Sequence, residues 1–418
     1  MQIVYLNFDR GIPVLGGKGG SVHVRSVVTA LTRLGHEVTV LCSQAGDGNA
    51  PPPGRLVTLA PDPGQRAAMA ECEHLRLPMS ALEDKLTYRE LGVLAHDRAL
   101  PARAVAALAD QGVRPDLIYE RHALFHVAGM AIARVFDVPR VLEVNAPLTE
   151  EQARFRGLAL HDIAAEREAK SWLGASLAVA VSEDIAMRLR AVGVPNSRIL
   201  VGQNGVDTAL FRLGESHGAE VRRSLLLGDH PVVGFVGSFK AWHGVDFLID
   251  AVARLRAEWP ELRLLALGDG PLRAAAEARA AALLGDAAVF TGSVPHEAVP
   301  AHLAAMDLTV APYMPREGFY FSPLKVIESL AAGRPVVAPR IGQIEHLVDD
   351  RVTGLLYPPG NLDACVAAIA ELLAAPALRR RFGAEAAQRA RAGWDWTALV
   401  SRVLDRAVGA PALQQAAG

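Results

Sequence analysis

Apolar and polar positions along the 418-residue chain form two alternating patterns, short apolar runs and longer stretches with helical periodicity. In residues 21–35 the apolar side chains recur at the spacing of one buried helix face. These side chains are Val24, Val27, Val28, Leu31 and Leu34. The short runs predict strands at 2–8, 37–42, 56–59, 117–119, 140–144, 177–181, 231–237, 263–267, 289–290, 308–311 and 335–338. Strands that alternate with helices are typical of doubly wound parallel sheets, so the predicted fold class is α/β.

The alternation is interrupted by turn residues at 201–207 and starts again near residue 231. A chain of this length exceeds what one hydrophobic core normally serves, so two domains are expected. The sequence predicts one α/β domain at 1–205 and a second at 206–393, with a hinge near 204–211.

Composition narrows the cellular setting and the partners. A formal net charge of −2 provides no overall field for nucleic acid, so no nucleic-acid partner is expected. The three cysteines lie far apart and form no CxxC pair, which favours a reducing compartment over a disulfide framework or a zinc site. No signal-peptide pattern precedes the first strand, so the predicted location is cytoplasmic. The basic stretch at 188–190 leaves peripheral membrane contact open, although such stretches are more often solvated.

The first strand-to-helix loop is rich in glycine and contains Lys18, Gly19 and Gly20. Glycines let backbone amides approach a ligand closely, and a helix N-terminus favours anions. The alternative is a flexible loop that binds nothing. A Walker loop is excluded because Gly19 follows Lys18, and a dinucleotide fingerprint is excluded because Val22 stands where it requires a third glycine.

The first strand of the second half leads into a loop at 237–244 that contains Lys240 and His243. Two cations at the edge of a sheet would neutralise a departing diphosphate. The alternative is that Lys240 is solvated and His243 makes a hydrogen bond at the start of the next helix.

A third loop precedes a helix whose predicted core face comprises Leu324, Ile327, Leu330 and Ala331. Ser322 suits the N-cap and Pro323 the first helical position, so the amides at 322–324 would form an anion site. Glu328 would accept hydrogen bonds from two ribose hydroxyls. The alternative is a surface ion pair between Lys325 and Glu328 at i, i+3 spacing.

These motifs, in this order, resemble the retaining glycosyltransferases of family 4, which have the GT-B fold. The resemblance covers nearly the whole chain and includes LTRLGHEVTVL, VSEDIAMRLRAVGV, NGVDTALF, VGFVGSFKAWHGVDFLIDA, LGDGP, FTGSVPHEAVPAHLAAMDLTVAPY and ESLAAGRPVVA. It implies two Rossmann-like domains facing a central cleft, with the donor held mainly by the second and the acceptor mainly by the first. It also implies that a C-terminal helix, within 394–418, completes the first domain.

The resemblance assigns the donor site residue by residue. Glu328 matches the carboxylate that holds the ribose, and the backbone at 322–324 matches the diphosphate-binding amides. The residues it implies for donor binding are Gly19, Gly20, Gly237, Ser238, Val294, Pro295, Tyr320, Phe321, Ser322, Pro323, Leu324 and Glu328. Of these, Val294 and Pro295 stand where the family's loop packs on the base.

The sequence departs from the family pattern at several of these positions. Tyr320 stands where the family places a second glutamate, and Glu317 is close but out of register. Ser238 and His243 replace the usual arginine and lysine of the phosphate loop, so neutralisation would depend on Lys240 and His243.

A histidine that is common in the first domain is replaced by Asn145, and His122 is a neighbouring polar alternative. Lys240, His243, Asn145 and His122 are therefore the catalytic candidates. Lys18, Arg121 and Glu143 are candidates for the acceptor side. Each of the substituted positions is equally compatible with a packed or capped loop residue.

The predicted reaction is retaining sugar transfer from a nucleotide-diphosphate sugar by front-face displacement. The donor is a co-substrate, and no cofactor or metal is expected because the chain has no Asp-x-Asp motif and no metal-ligand spacing. The acceptor would be a saccharide, a lipid carrier or a small natural product. The rival predictions are a nucleotide-sugar epimerase or hydrolase of the same fold, and a non-catalytic nucleotide-sugar-binding protein.

Overall fold

The computed structural model describes residues 1–17, 19–48, 54–61, 64–212, 215–315, 319–320 and 322–408. The chain divides into two compact units. The first unit contains Met1–Gln203 together with the last helix, and the second contains Asn204–Trp396. Each unit has its own parallel sheet and is described by itself.

Seven strands of the described chain form the sheet of the first unit, in the order β3-β2-β1-β4-β5-β6-β7. The strands are β1 (Gln2–Asn7), β2 (Glu37–Cys42), β3 (Arg55–Thr58), β4 (Leu117–Arg121), β5 (Arg140–Val144), β6 (Leu177–Ala180) and β7 (Ile199–Val201). All neighbouring strands pair in parallel. The helices between them are α1 (Gly19–Arg33), α2 (Gln65–His74), α3 (Lys85–Asp110), α4 (Ala128–Phe136), α5 (Leu148–Phe155), α6 (His161–Leu173) and α7 (Glu183–Val192).

The second unit repeats this topology with six described strands in the order β10-β9-β8-β11-β12-β13, all parallel. The strands are β8 (Val232–Val236), β9 (Arg263–Leu267), β10 (Ala288–Gly292), β11 (Leu308–Val310), β12 (Val336–Pro339) and β13 (Gly354–Tyr357). Its helices are α8 (Glu215–Ser224), α9 (Val245–Leu255), α10 (Arg273–Leu284), α11 (Val299–Ala304), α12 (Leu324–Ala331), α13 (Ile344–Leu347), α14 (Leu362–Ala374) and α15 (Pro376–Gly393). The last helix, α16 (Trp396–Val408), follows.

Most strand residues are apolar because helices cover both faces of each sheet. In β8, the adjacent residues Val232 and Val233 are fully buried in different clusters. Val233 packs with Leu248 and Ile249 of α9, whereas Val232 packs with Ile327 of α12. Helices on both faces of the sheet therefore hold the start of β8 in place.

The structure confirms two doubly wound parallel sheets and the predicted strand bounds at Glu37–Cys42, Arg140–Val144 and Arg263–Leu267. The prediction missed β7 and β13. Each has no more than four residues and lies at the edge of its sheet, so its apolar run is short.

Strand order reverses between β1 and β4 in the first sheet and between β8 and β11 in the second. Ligands of open α/β sheets bind outside the carboxyl ends of the strands at such reversal points. Ligand-binding residues are therefore expected after β1 and β4 in the first sheet, and after β8 and β11 in the second.

The start and the end of the second unit are joined by backbone hydrogen bonds. The Val206 N–H donates to the Trp394 carbonyl at 2.8 Å, and the Trp396 N–H donates to the Val206 carbonyl at 3.2 Å. The Thr208 hydroxyl donates to the Asp395 carboxylate at 2.7 Å. The segments by which the chain enters and leaves this unit therefore lie side by side.

Within the described ranges, no helix combines the length and the apolar character that crossing a bilayer requires.

Candidate functional site

The loop after β8 lies at the reversal point of the second sheet. Its first residue, Gly237, has φ +140°, a conformation that favours glycine. Its N–H donates to the Leu267 carbonyl at 2.9 Å, and the Phe239 N–H donates to the Asp269 carbonyl at 3.0 Å. The loop is thus fixed by bonds to the end of β9, and a 3-10 turn at Ala241–His243 leads from it into α9.

His243 is a neutral loop residue and not the expected phosphate-binding cation. Its Nδ1 donates to the Ser238 carbonyl and lies 3.2 Å from the Ser238 hydroxyl. Burial lowers the pKa of His243 to about 3, and the positive charges of Lys325 and Lys240 act in the same direction. At neutral pH this imidazole carries no charge, which corrects the sequence-based prediction for His243.

Lys240 is exposed, and its Nζ lies 4.9 Å from the centroid of the Trp242 ring. It borders a cleft of about 180 Å³ together with Phe239, Leu272 and Met314. Its charge acts on both His243 and Lys325. Lys240 therefore remains a candidate for binding an anion at this edge.

Ser322 is not the N-cap of α12, contrary to the prediction. The helix starts at Leu324, and the N-cap is Pro323, which offers no side-chain hydrogen bond. Ser322 instead accepts hydrogen bonds from Asn204, from its N–H to the hydroxyl at 3.3 Å and from its Nδ2 to the carbonyl at 3.0 Å. Ser322 therefore bonds to Asn204, which is distant in sequence, and does not cap the helix that follows it. Tyr320 is buried nearby, whereas Phe321 and Glu317 lie outside the described residues.

The first turn of α12 still presents backbone donors. The N–H groups of Val326 and Ile327 both reach the Pro323 carbonyl, at 3.0 and 3.5 Å. The N–H groups of Leu324 and Lys325 precede them and have no intrahelical acceptor. An anion at this end of α12 would receive their hydrogen bonds.

Glu328 lies one turn further along α12, with its side chain 13% exposed. His296 Nε2 lies 2.9 Å from Glu328 Oε1, and the His296 ring packs against Phe211. His296 follows Val294 and Pro295 in the loop after β10, where Val294 is half-buried and Pro295 is exposed. The predicted base loop is thus tied to the predicted ribose carboxylate. No sequence signal identifies His296, because its contact with Glu328 joins residues that are far apart along the chain.

The alternative of a surface ion pair between Lys325 and Glu328 is wrong. The amine is buried, and within the described chain it has neither a hydrogen-bond nor an ion-pair partner. Its Nζ lies 4.6 Å from the Phe235 ring centroid and 4.9 Å from that of Tyr313. The core face of α12 also differs from the prediction, because Val326 is buried where Leu324 is half-buried.

In the first unit, helix α1 begins directly at Gly19. A Cβ atom at Gly20 would lie 2.9 Å from the side chain of Ile12, so packing already requires a glycine there. Lys18 lies outside the described residues. Gly19 and Gly20 thus stand at a helix N-terminus after β1, as the sequence predicts.

Glu143 is the centre of a buried polar cluster at the carboxyl end of the first sheet. It accepts hydrogen bonds from the hydroxyls of Tyr5 at 3.1 Å and Tyr119 at 3.2 Å, and His23 Nε2 lies 3.2 Å away. Burial opposes ionisation, yet the pKa of Glu143 is lowered because His23, Arg121 and Tyr5 stabilise its carboxylate. The sequence drew attention to Glu143 but not to Tyr5, Tyr119 or His23, which are spread over three other elements.

Arg121 ends β4 and pairs in register with Glu143 of β5. Its Nε and Nη1 atoms are buried and find no hydrogen-bond acceptor in the described chain. Asn145 follows β5, and its Nδ2 atom is likewise buried without an acceptor among the described residues. Arg121, Glu143 and Asn145 are thus brought together at one edge of the first sheet.

The His122 side chain is held by contacts within the first unit. Its Nε2 lies 3.1 Å from Glu168 Oε1, and its ring packs edge-on against Trp172. The same Glu168 oxygen accepts the Leu148 N–H at 2.8 Å, at the start of α5. This arrangement fits the alternative of a packed loop residue.

Among the described side chains, no group of three or more His, Cys, Asp or Glu residues is placed to hold a metal ion.

Both parts of the chain are similar to known glycosyltransferases. Residues 17–210 match the family model Glycosyltransferase Family 4, and residues 230–375 match the model Glycosyl transferases group 1. Together the two matches cover more than half of the chain. The chain is 32% identical over 216 residues to the GDP-mannose-dependent alpha-(1-6)-phosphatidylinositol monomannoside mannosyltransferase of Mycolicibacterium smegmatis. That alignment covers 51% of this chain and 56% of the relative, so the chain spans little more than half of the relative's length.

Two further matches extend over nearly the full length. The glycogen synthase of Mycobacterium tuberculosis is 26% identical over 420 residues, which cover 96% of this chain and 93% of that protein. The crystal structure of HepE from Anabaena in complex with UDP covers 97% of this chain and 99% of its own, with 21% identity and a TM-score of 0.70. The chain belongs to glycosyltransferase family 4, and its two parallel-sheet domains have the GT-B fold.

Proposed function

We propose that this chain transfers a sugar from a nucleoside-diphosphate sugar to an acceptor hydroxyl, with retention at the anomeric carbon and without a metal ion. The observation that carries the proposal is that α12 presents backbone N–H groups at its first turn and a carboxylate one turn later. The first-turn amides of Leu324 and Lys325, which have no acceptor within the helix, lie one turn before the carboxylate of Glu328. A nucleoside diphosphate presents its oxyanions and its ribose hydroxyls over a similar span.

Each proposed contact with the nucleoside-diphosphate sugar follows from the chemistry of the residue that makes it. The amides of Leu324 and Lys325 would donate to diphosphate oxygens, since a helix N-terminus favours anions. His296 occupies Glu328 Oε1, while Oε2 has no hydrogen-bond partner among the described residues and would accept from the ribose. Val294 and Pro295 would pack on the base. Gly237, Ser238 and Lys240 would line the phosphate side.

The first unit would supply the acceptor side and the glycines beside the donor. Gly19 and Gly20 would approach the donor through their amides. Arg121 and Asn145 have buried nitrogen donors without acceptors in the described chain, and these would bind acceptor oxygens. Glu143 would hold the Arg121 side chain in place.

We propose front-face displacement for the chemical step. The bond between C1 and the diphosphate oxygen lengthens, and positive charge develops at C1. The acceptor hydroxyl attacks C1 from the same face, and its proton passes to the departing phosphate oxygen. The task of the protein is to position both partners and to stabilise negative charge on the leaving group.

The relatives differ in the donors and acceptors that their names state. One is GDP-mannose-dependent and acts on a phosphatidylinositol mannoside, one is a glycogen synthase, and HepE binds UDP. The donor panel should therefore contain UDP-, GDP-, ADP- and TDP-sugars, and the acceptor panel saccharides, lipid carriers and small natural products. Product that forms equally without any acceptor would reject transfer in favour of an epimerase or hydrolase.

We also propose that the protein acts in the cytoplasm. Cys42, Cys72 and Cys365 are all buried free thiols, which fits a reducing compartment.

The Glu328→Gln variant tests the donor assignment. Loss of charge-assisted bonds to the ribose should weaken binding of the accepted nucleotide by about 10- to 100-fold. The side chain keeps its shape, so the thermal unfolding temperature should stay near that of the wild type. Glu385→Gln, at an exposed position of α15, is the matched control and should bind normally. Unchanged affinity of Glu328→Gln, measured by calorimetry, would remove the ribose assignment.

A further inference from the structure

Lys325 is a buried amine that the fold itself does not compensate. Nζ lies over the faces of Phe235 and Tyr313 at 4.6 and 4.9 Å, and within the described chain no carboxylate or carbonyl accepts its protons. Aromatic faces attract a cation, but they replace only part of the hydration that an ammonium group loses on burial. A group in this state calls for an explanation.

The Lys325 amine occupies space that is open because residue 237, in the loop after β8, is a glycine. A Cβ atom at Gly237 would lie 2.5 Å from Lys325 Nζ and 2.7 Å from its Cε atom. Gly237 directly follows β8, and Tyr313 follows β11, so the amine lies at the reversal point of the second sheet. This is the point at which open α/β sheets bind their ligands.

The charged and titratable groups around Lys325 leave this edge short of negative charge. Burial lowers the pKa of Lys325 to about 7; Glu328 opposes the shift and Lys240 adds to it. His243, from the loop after β8, has a pKa of about 3 and is neutral. Burial also keeps the Tyr313 hydroxyl neutral by raising its pKa. The amine is therefore only partly protonated at neutral pH, and an arriving anion would complete its protonation.

We propose that Lys325 supplies the buried positive charge for the diphosphate of the donor, and that its amine takes up a proton from solvent when a nucleoside diphosphate binds. The inference rests on the proposed function and extends it, since it assigns to α12 both the first-turn amides and the cation of one anion site. The neutral amine gains one proton on binding and returns it to solvent when the nucleotide leaves. An Arg or Lys in constant contact with solvent would show no such exchange.

The test is calorimetric titration of the full-length protein with UDP and, in parallel, with GDP. Each titration is run at pH 7.0 and pH 8.5, in two buffers of different ionisation enthalpy. Since the free amine is about half protonated at pH 7, uptake of about half a proton is expected there, rising toward one proton at pH 8.5. UDP-glucose is the companion ligand, because its diphosphate has no group that titrates in this range, so its proton uptake reports the amine alone. The terminal phosphate of UDP or GDP releases a small fraction of a proton on binding at pH 7, which lowers the net uptake slightly there and not at pH 8.5.

The Lys325→Met variant should bind the nucleotide about 10- to 100-fold more weakly at pH 7 and without proton uptake. Methionine is unbranched and adaptable, so it fills the space between the two rings. Lys85→Met, at an exposed position of the first unit, is the matched control and should keep both the affinity and the uptake. If Lys325→Met does not fold, the wild-type titrations decide alone.

Two results separate this inference from the proposed function. Tight nucleotide binding by the wild type without proton uptake, or unchanged binding by Lys325→Met, overturns the role of Lys325 and leaves the proposed function standing. If the wild type binds none of the nucleotides, the proposed function fails, and the inference fails with it.

Discussion

Buried ionisable groups gather at the carboxyl edges of both sheets, but they are compensated differently. In the first unit, Glu143 is surrounded by Tyr5, Tyr119 and His23, all within hydrogen-bond distance. In the second unit, the Lys325 amine has no hydrogen-bond or ion-pair partner in the described chain. The pKa shifts agree with this contrast, because Glu143 is held in its charged form while Lys325 is pushed toward its neutral form.

The difference teaches where binding energy is available. A charge that the fold already satisfies stabilises the fold, and a ligand gains little from it. A buried cation that lacks a partner costs folding free energy, and an anionic ligand recovers that cost on binding. We therefore expect Glu143 to matter mainly for stability and Lys325 mainly for affinity.

The largest expected effect is on the first unit. Glu143→Ala leaves the two tyrosine hydroxyls, His23 and Arg121 around an empty site, so we expect a loss of about 3–5 kcal/mol in the free energy of unfolding. Denaturant titration followed by circular dichroism measures it. Glu143→Gln keeps an acceptor for the hydroxyls and should lose less. A loss below about 1 kcal/mol for Glu143→Ala would show that the cluster is not structural and would end the contrast between the units.

The next effect concerns the glycine beside Lys325. Gly237→Ala places a side chain at φ +140° and against the amine, and should cost about 1–3 kcal/mol of stability. It should also weaken UDP binding, because the amine is displaced. Gly393→Ala, where a Cβ atom would meet nothing within 4 Å, serves as the control and should be nearly neutral. If Gly237→Ala keeps full affinity, the position of the amine does not matter for binding.

The smallest effect is an altered acid dependence. The pKa of His243 is about 3 in the folded state and about 6.5 when unfolded, so the unfolded state binds more protons between these values and stability falls as pH falls. His243→Asn preserves a donor for the Ser238 carbonyl but does not titrate. Relative to the wild type it should gain about 1–2 kcal/mol between pH 6.5 and pH 5. The exposed His217→Asn variant should show no such gain in the same unfolding series. Equal slopes for His243→Asn and the wild type would mean that His243 is charged in the folded state.

Periodicity predicted the architecture well because both sheets are buried on both faces. Short runs dominated by apolar residues, such as Arg140–Val144 and Arg263–Leu267, could be recognised without any tertiary information. The position of the candidate site also followed, since loops after parallel strands meet at one edge of the sheet. Gly237 was located in this way, whereas Glu328 and Glu143 were assigned with the help of the family resemblance.

Local rules failed where distant residues compete for a side chain. Ser322 before Pro323 has the signature of an N-cap, but its hydroxyl accepts a hydrogen bond from the Asn204 N–H instead. Lys325 and Glu328 have the spacing of a helical ion pair, but the Lys325 stem enters the space that Gly237 leaves open. His296 reaches Glu328 from the loop after β10. Each outcome depends on a contact between residues far apart in sequence, which spacing alone does not encode.

The hydrogen bonds that join Val206 to Trp394 and Trp396 close the second unit at its two ends, and this affects how the protein folds during synthesis. The second unit is one uninterrupted stretch of polypeptide, whereas the first includes α16, which the ribosome makes after the second unit. During translation the second unit can therefore reach its native state before the first is complete. A nascent chain that stops just after Trp396 would contain the whole second unit, while the first unit would still lack α16.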